Sequence, residues 1–199
     1  MKLKSIALLL GLATVAMPAP KDGASAVAVF AGGCFWCMEP PFDKLDGVLA
    51  TTSGYIGGSK EDANYKAVSY TDTGHYEAIE VRYDPAKVSY EKLLEVFWRN
   101  IDPLDGRGQF CDKGPSYLTA IFAMDDEQMK LAEASKAKLA ASGKLSGKIQ
   151  TKILPTMTFY PAEDYHQDYY TKNPIRYKVY RWNCGRDQRL EQLWGKADK

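Results

Sequence analysis

Hydrophobic and polar positions fall into short blocks whose period changes along the chain. Val27 to Ala31 is an unbroken apolar, β-branched and aromatic run, which predicts a fully buried strand. Val48 to Ile56 alternates loosely and predicts a second strand. From His75 to Tyr83, Ile79, Val81 and Tyr83 share one face at period two, while Glu80 and Arg82 take the other. Tyr90, Leu93, Leu94, Phe97, Trp98 and Ile101 recur at helical spacing behind Ser89, a good N-cap. Tyr117 to Met124 is apolar on both faces and predicts a central strand. Asp125 is placed to cap a helix reaching Ala141, stopped by Gly143. Ile149 to Leu154 and Thr158 to Tyr160 read as further strands, Tyr65 to Tyr70 as one short helical turn, and Ala162 to Tyr170 as a helix. Residues 102–116 hold Pro103, Gly106, Gly108, Gly114 and Pro115 and predict a loop. Beyond Asn173 the chain is aromatic, basic and loop-rich, with a last helix expected over Asp187 to Trp194.

Strands interleaved with helices predict a two-layer α+β sandwich. The length of 199 residues fits a single domain with a proper core. The first residues stand apart. Lys2 and Lys4 precede an apolar run from Ile6 to Met17, too short for a bilayer span but fitting a secretory signal peptide. Residues 1–26 are therefore expected to be a leader, cut after Ala16, Ala19 or Ala26, and residues 27–199 a single catalytic domain in the periplasm or outside the cell. A net charge of +1 gives no reason to expect nucleic acid as a partner, and no stable membrane insertion is expected.

The chemistry centres on the end of the first strand. Gly32-Gly33 lets the backbone turn sharply, and Cys34 follows where a helix could start. A helix N-terminus lowers a cysteine's pKa and favours thiolate, so Cys34 is the candidate nucleophile rather than an inert buried thiol. Phe35 and Trp36 put apolar surface beside it, and Cys37 lies one turn on. Pro40 and Pro41 suit only a first turn, which leaves open whether the helix begins after Cys37 or runs kinked from Cys34. Glu77 shares the parity of Ile79, Val81 and Tyr83. A carboxylate on a buried face should have a raised pKa and can act as an acid, unless it is paired to an arginine or caps a helix. The spacing of the four cysteines fits redox work better than structural stapling; Cys111 reads as a passive packed thiol. His75 and His166 are too few for a histidine metal site, and His75 is expected to orient a loop.

The run Ala31-Gly-Gly-Cys-Phe-Trp-Cys37 resembles the signature of the A-type peptide methionine sulfoxide reductases. The resemblance continues through Ser53-Gly-Tyr-Ile-Gly-Gly58, Thr73-Gly-His-Tyr-Glu77, Val96-Phe-Trp98, Gln109-Phe-Cys-Asp112, Ala162-Glu-Asp-Tyr-His-Gln167 and Lys172-Asn-Pro174. It implies a mixed sheet with flanking helices and a long, irregular C-terminal segment. It also implies reduction of methionine-S-sulfoxide, in proteins and smaller molecules, by attack of Cys34 with Glu77 as acid. Phe35 and Trp36 would cradle the substrate methyl, and Tyr65, Asp112 and Tyr117 would hold the sulfoxide oxygen. The sulfenic acid left on Cys34 needs a second thiol. Cys37 is expected to resolve it first; Cys184, in Asn183-Cys-Gly185, resembles a mobile recycling cysteine and is the alternative, or the two act in relay. No cofactor or metal is implied, the chain is expected to be a monomer, and the reductant would be thioredoxin or an exported equivalent. Two other classes compete: a thioredoxin-like disulfide oxidoreductase using Cys34 and Cys37, and a zinc module built from all four cysteines.

Overall fold

The computed structural model describes residues 25–196, so the predicted leader lies outside the described residues apart from its last two positions. Strand β1 (Ala26–Gly32) runs through the middle of a six-stranded sheet. The apolar run predicted for it is buried from Ala28 onward because other strands cover both its edges. The other strands of this sheet are β2 (Val48–Ile56), β3 (Tyr76–Tyr83), β6 (Thr119–Ala123), β7 (Lys152–Pro155) and β8 (Phe159–Pro161). Their order is β7-β6-β1-β3-β2-β8. Only β6 and β7 run parallel, so the sheet is mixed. Between Gln109 and Asp112 a small hairpin of β4 (Gly108–Gln109) and β5 (Asp112–Lys113) stands apart, inside the stretch read as loop.

Helices pack on one face of the sheet. They are α1 (Phe35–Asp43), α2 (Tyr65–Tyr70), α3 (Tyr90–Arg99) and α4 (Asp126–Ala141). Asn64, Ser89 and Asp125 cap the last three by accepting from the amides of Ala67, Lys92 and Gln128. Phe30 is the centre of the main core, stacked on Phe42 of α1 and Phe97 of α3 at 5.3 and 5.1 Å between ring centroids. Truncating such a residue costs ~3–5 kcal/mol. A smaller apolar cluster of Val29, Ala31, Ile56, Ala78, Ala120 and Phe122 lines the opposite face. Strand β3 shows the same division: Ile79, Val81 and Tyr83 enter the main core, while Ala78 faces the smaller cluster.

One segment settles an alternative that the sequence leaves open, and two differ from the sequence-based expectations. Helix α1 begins directly after Cys34 and carries Pro40 and Pro41 in its interior. The two missing amide donors are offset by burial of Phe35, Met38 and Phe42. Residues 162–168 form turns rather than a helix, with Asp168 in the left-handed region at φ +52°. The side chain of Gln167 there bonds both the amide and the carbonyl of Ser53, locking the segment to β2. In the C-terminal segment α5 (Tyr169–Lys172) is followed by α6 (Pro174–Asn183), a helix where loop is expected, and α7 (Arg186–Trp194) lies where the last helix is expected. Arg186, 1% exposed, holds this tail down by donating to the carbonyls of Gly32 and Asn100 at 3.2 and 2.7 Å. Arg189 and Trp194 add bonds to Asp102 and Ile101.

Candidate active site

The turn from β1 into α1 sets the site. Gly33 has φ +78°, and a Cβ there would meet Cβ of Gln109 at 2.5 Å. Glycine is required for the conformation and for the close approach of the β4 strand. Cys34 follows as the N-cap residue of α1, 6% exposed. Its side chain makes no capping bond. The first amide of the helix, that of Phe35, instead donates to Glu77 Oε2 at 3.1 Å. The positive end of the helix therefore faces the carboxylate.

Glu77 is 2% exposed. Burial is the largest influence on it and pushes its carboxyl up to about 8, against the pull of the Phe35 amide and the Tyr117 side chain. It stays protonated at neutral pH, as its place on the apolar parity of β3 predicts. Burial also pushes the Cys34 thiol well above its ordinary value. The helix start does not by itself favour the thiolate expected of Cys34, because Glu77 takes the first amide of α1 and burial raises the thiol. The hydrogen bond from Cys34 holds Cys37 down at about 6, helped by the charges of Arg186 and Arg181.

A cavity of about 60 Å³ opens beside Cys34, lined by Cys34, Phe35, Trp36, Tyr65, Glu77, Asp112, Tyr117 and Tyr180. The fold thus brings together in one small space Cys34, Glu77 and all five residues named from the sequence for substrate binding. Cys37 is buried in the next turn of α1, and Cys184 caps the end of α6, outside the lining. Tyr180 went unrecognised. Its hydroxyl donates to Asp112, closing one side of the cavity from α6. The signal was the spacing Tyr177, Tyr180, Cys184 on one helical face, hidden when the tail is taken for loop.

Three further residues set Trp36. Its indole N–H donates to His166 Nδ1 at 2.9 Å, and its ring stacks on Tyr169 at 3.8 Å. Burial holds His166 down at about 4, so the ring is neutral and can accept this bond. Tyr65 packs on the same imidazole at 4.5 Å. His75 lies elsewhere, between the amide of Gly58 and the carbonyl of Ser59, and orients that loop.

The cysteines pair in an unexpected way. Cys111, read as a passive thiol, is bonded to Cys184. Cys34 and Cys37 are free thiols. Among the described residues, the four cysteines do not gather into one ligand set, which removes the geometry of the zinc-module reading. Cys34 and Cys37 do not lie in the βαβ unit that the thioredoxin-like reading needs: β1 pairs antiparallel with β3 and β6, and the one parallel pair among the described strands, β6 and β7 joined through α4, lies elsewhere in the chain.

Known proteins share this chain's sequence and fold. The family model described as peptide methionine sulfoxide reductase matches residues 26–198. The chain is 53% identical over 170 residues to the peptide methionine sulfoxide reductase MsrA of Bacillus licheniformis, spanning 85% of this chain and 94% of the relative. It is 49% identical over 186 residues to the peptide methionine sulfoxide reductase MsrA 2 of Caulobacter vibrioides, spanning 94% and 92%. The reduced form of Mxr1 from Saccharomyces cerevisiae matches the fold at a TM-score of 0.70 and 32% identity, over 78% of this chain and 89% of that one. Methionine sulfoxide reductase A of Corynebacterium diphtheriae matches at 0.68 and 32% identity, over 77% of each.

Proposed function

Because the chain belongs to the peptide methionine sulfoxide reductase family, we propose that the Cys34 cavity reduces methionine-S-sulfoxide, in proteins and in smaller molecules, to methionine. The observation that carries the reading is a neutral buried carboxyl, Glu77, in the same cavity as a cysteine thiol. A sulfoxide gives up its oxygen only if an acid protonates it, and Glu77 holds a proton at neutral pH. Cys34 passes its own proton to Cys37 and attacks the sulfoxide sulfur, while Glu77 protonates the oxygen. Methionine leaves, and Cys34 keeps the oxygen as a sulfenic acid. Cys37 then attacks that sulfur, releasing water and forming the Cys34–Cys37 disulfide. Phe35 and Trp36 supply the apolar wall for the methyl; Tyr65, Asp112 and Tyr117 supply the polar groups for the oxygen.

The resulting disulfide needs a dithiol donor, for which a thioredoxin-type protein has the right chemistry. The basic and apolar composition of residues 1–26 supports export to the periplasm or beyond. The direct test is single-turnover reduction of methionine sulfoxide with thiols counted before and after. Wild type should form one methionine and lose two thiols, and Cys34→Ser should form none. Methionine formation by Cys34→Ser would end this reading.

A further inference from the structure

We infer that Cys111, Asp112 and Cys184 form a redox-controlled site for a borderline-soft divalent cation of the zinc type, open to the ion only when the Cys111–Cys184 disulfide is reduced. The binding does not depend on the reductase reading. One ligand atom from each of the three residues lies within 4.8 Å of the other two. Among the described residues, no other three histidine, cysteine or carboxylate groups come that close. Cys111 is exposed, and Asp112 and Cys184 are half-buried, so an ion reaches the group from solvent. Cys34 and Cys37 take no part, which separates this site from a four-cysteine module.

The carboxylate spans the two sulfurs. Asp112 Oδ1 lies 3.7 Å from Cys111 Sγ, and its Oδ2 lies 3.9 Å from Cys184 Sγ. Zinc bonds thiolate sulfur at about 2.3 Å and carboxylate oxygen at about 2.0–2.2 Å, so neighbouring ligand atoms on a tetrahedral ion stand roughly 3.5 Å apart. Both spacings come close to that edge. Two thiolates and a carboxylate are donors that zinc takes, and three protein ligands leave a fourth position for water.

Contacts other than the disulfide keep the ligands together. Cys111 stands in the two-residue turn Phe110-Cys111 of the β4–β5 hairpin. The guanidinium of Arg186 covers the Phe110 ring at 4.4 Å while holding the carbonyls of Gly32 and Asn100. Tyr180, on the helix that Cys184 caps, donates to Asp112. The hairpin and the tail are thus tied on both sides of Cys184 by bonds that reduction leaves intact. The gate is chemical. A metal takes thiolate as its ligand, and the disulfide has none to give. A phosphine or dithiol supplies the two electrons that open the disulfide, and two protons complete the thiols. The ion then displaces those two protons and forms two metal–sulfur bonds, with no further change of oxidation state. While it is bound, it holds the sulfurs apart and keeps the pair from reoxidising.

The test is zinc titration of the full chain against a chromophoric chelator. The protein is reduced with a phosphine that is then removed without air, and a disulfide-bonded sample serves as control. Cobalt(II) in place of zinc reports the ligands through thiolate-to-cobalt charge-transfer absorption. The expected result is one zinc per reduced chain and loss of binding in the disulfide-bonded sample. Cys111→Ser and Cys184→Ser should each lose the zinc and the charge-transfer band, and Cys37→Ser should keep both. Asp112→Asn should weaken binding by at least ~10-fold, since even the loss of an outer partner costs that much. Circular dichroism checks that each variant is folded. Zinc kept by Cys111→Ser and lost by Cys37→Ser would move the metal to the inner pair and overturn the site. No zinc on the reduced wild type, equal binding by reduced and disulfide-bonded chains, or unchanged affinity in Asp112→Asn would overturn it as well.

Discussion

Two carboxyls among the described residues are no more than 2% exposed, and they sit in different surroundings. Glu77 ends on the Cys34 cavity; Glu39 lies inside α1, among Ser53 and the turn at Asp168. They are 2% and 1% exposed, and burial pushes them up to about 8 and about 7. Each is steadied by hydrogen bonds: Glu77 by the Phe35 amide, Glu39 by the Ser53 hydroxyl at 2.9 Å and the Asp168 amide at 3.4 Å. A raised pKa therefore does not distinguish an acid catalyst from a buried strut. Access does: Glu77 shares its cavity with a thiol, and Glu39 is absent from that lining.

The largest expected effect separates them. Glu77→Gln keeps the shape and removes the proton, and should slow single-turnover sulfoxide reduction by ~10²–10⁴-fold with the fold intact. Glu39→Gln should leave that rate at the wild-type value. Equal slowing in both variants, read in the same rapid-quench assay with circular dichroism to check folding, would remove access as the deciding difference.

A pH series sharpens the contrast. Glu77 must carry its proton to act, so the reductive rate should be full at neutral pH and fall as pH rises through about 8. Stability follows the same sign for both groups. Each carboxyl is raised above its unfolded value, so its contribution is complete below the ordinary carboxylate range and declines as pH climbs to the folded value. Urea titrations should show wild type weakening from about pH 4.5 upward. Glu39→Gln should remove the part complete by about pH 7, and Glu77→Gln the part complete by about pH 8. An alkaline limb of the rate that persists in Glu77→Gln would assign the proton to another group.

The same two residues mark how far the sequence could be read. Glu77 is legible because β3 alternates cleanly, and a charge on the apolar parity stands out. Glu39 is not, because it sits beside Pro40 and Pro41 where helical register cannot be trusted. The nucleophile's position is legible in the strand–glycine–cysteine run; its protonation is not, because the partner that takes the Phe35 amide comes from a strand 42 residues away. Elements with a local cause, such as β2, α2 and the caps at Ser89 and Asp125, are found where their patterns put them. The tail as far as Cys184 is the region that pattern misses. Its helices have no strongly apolar face to read, since what seats them is the polar anchor of Arg186 and the bond from Cys184 to Cys111. Tyr180 and the Cys111–Cys184 pairing are consequences of that docking, and neither leaves a periodic trace.

The smallest effect tests the strut side alone. Ser53 donates its hydroxyl to Glu39 Oε1, while its backbone is held separately by Gln167. Ser53→Ala should therefore cost only ~0.5–1.5 kcal/mol, read from urea denaturation, with sulfoxide reduction unchanged. The cost should depend on pH. A hydroxyl bonds an ionised carboxylate more strongly than a neutral acid, so the variant should lose more at pH 8, where Glu39 is largely ionised, than at pH 5, where it is protonated. In linkage terms, Ser53 lowers the carboxyl's folded value, so its removal raises that value further and lets the decline of stability continue to higher pH. A loss of the same size at both pH values would mean that the hydroxyl does not sense the charge of Glu39, and that this carboxyl stays neutral across the range in which Glu77 works.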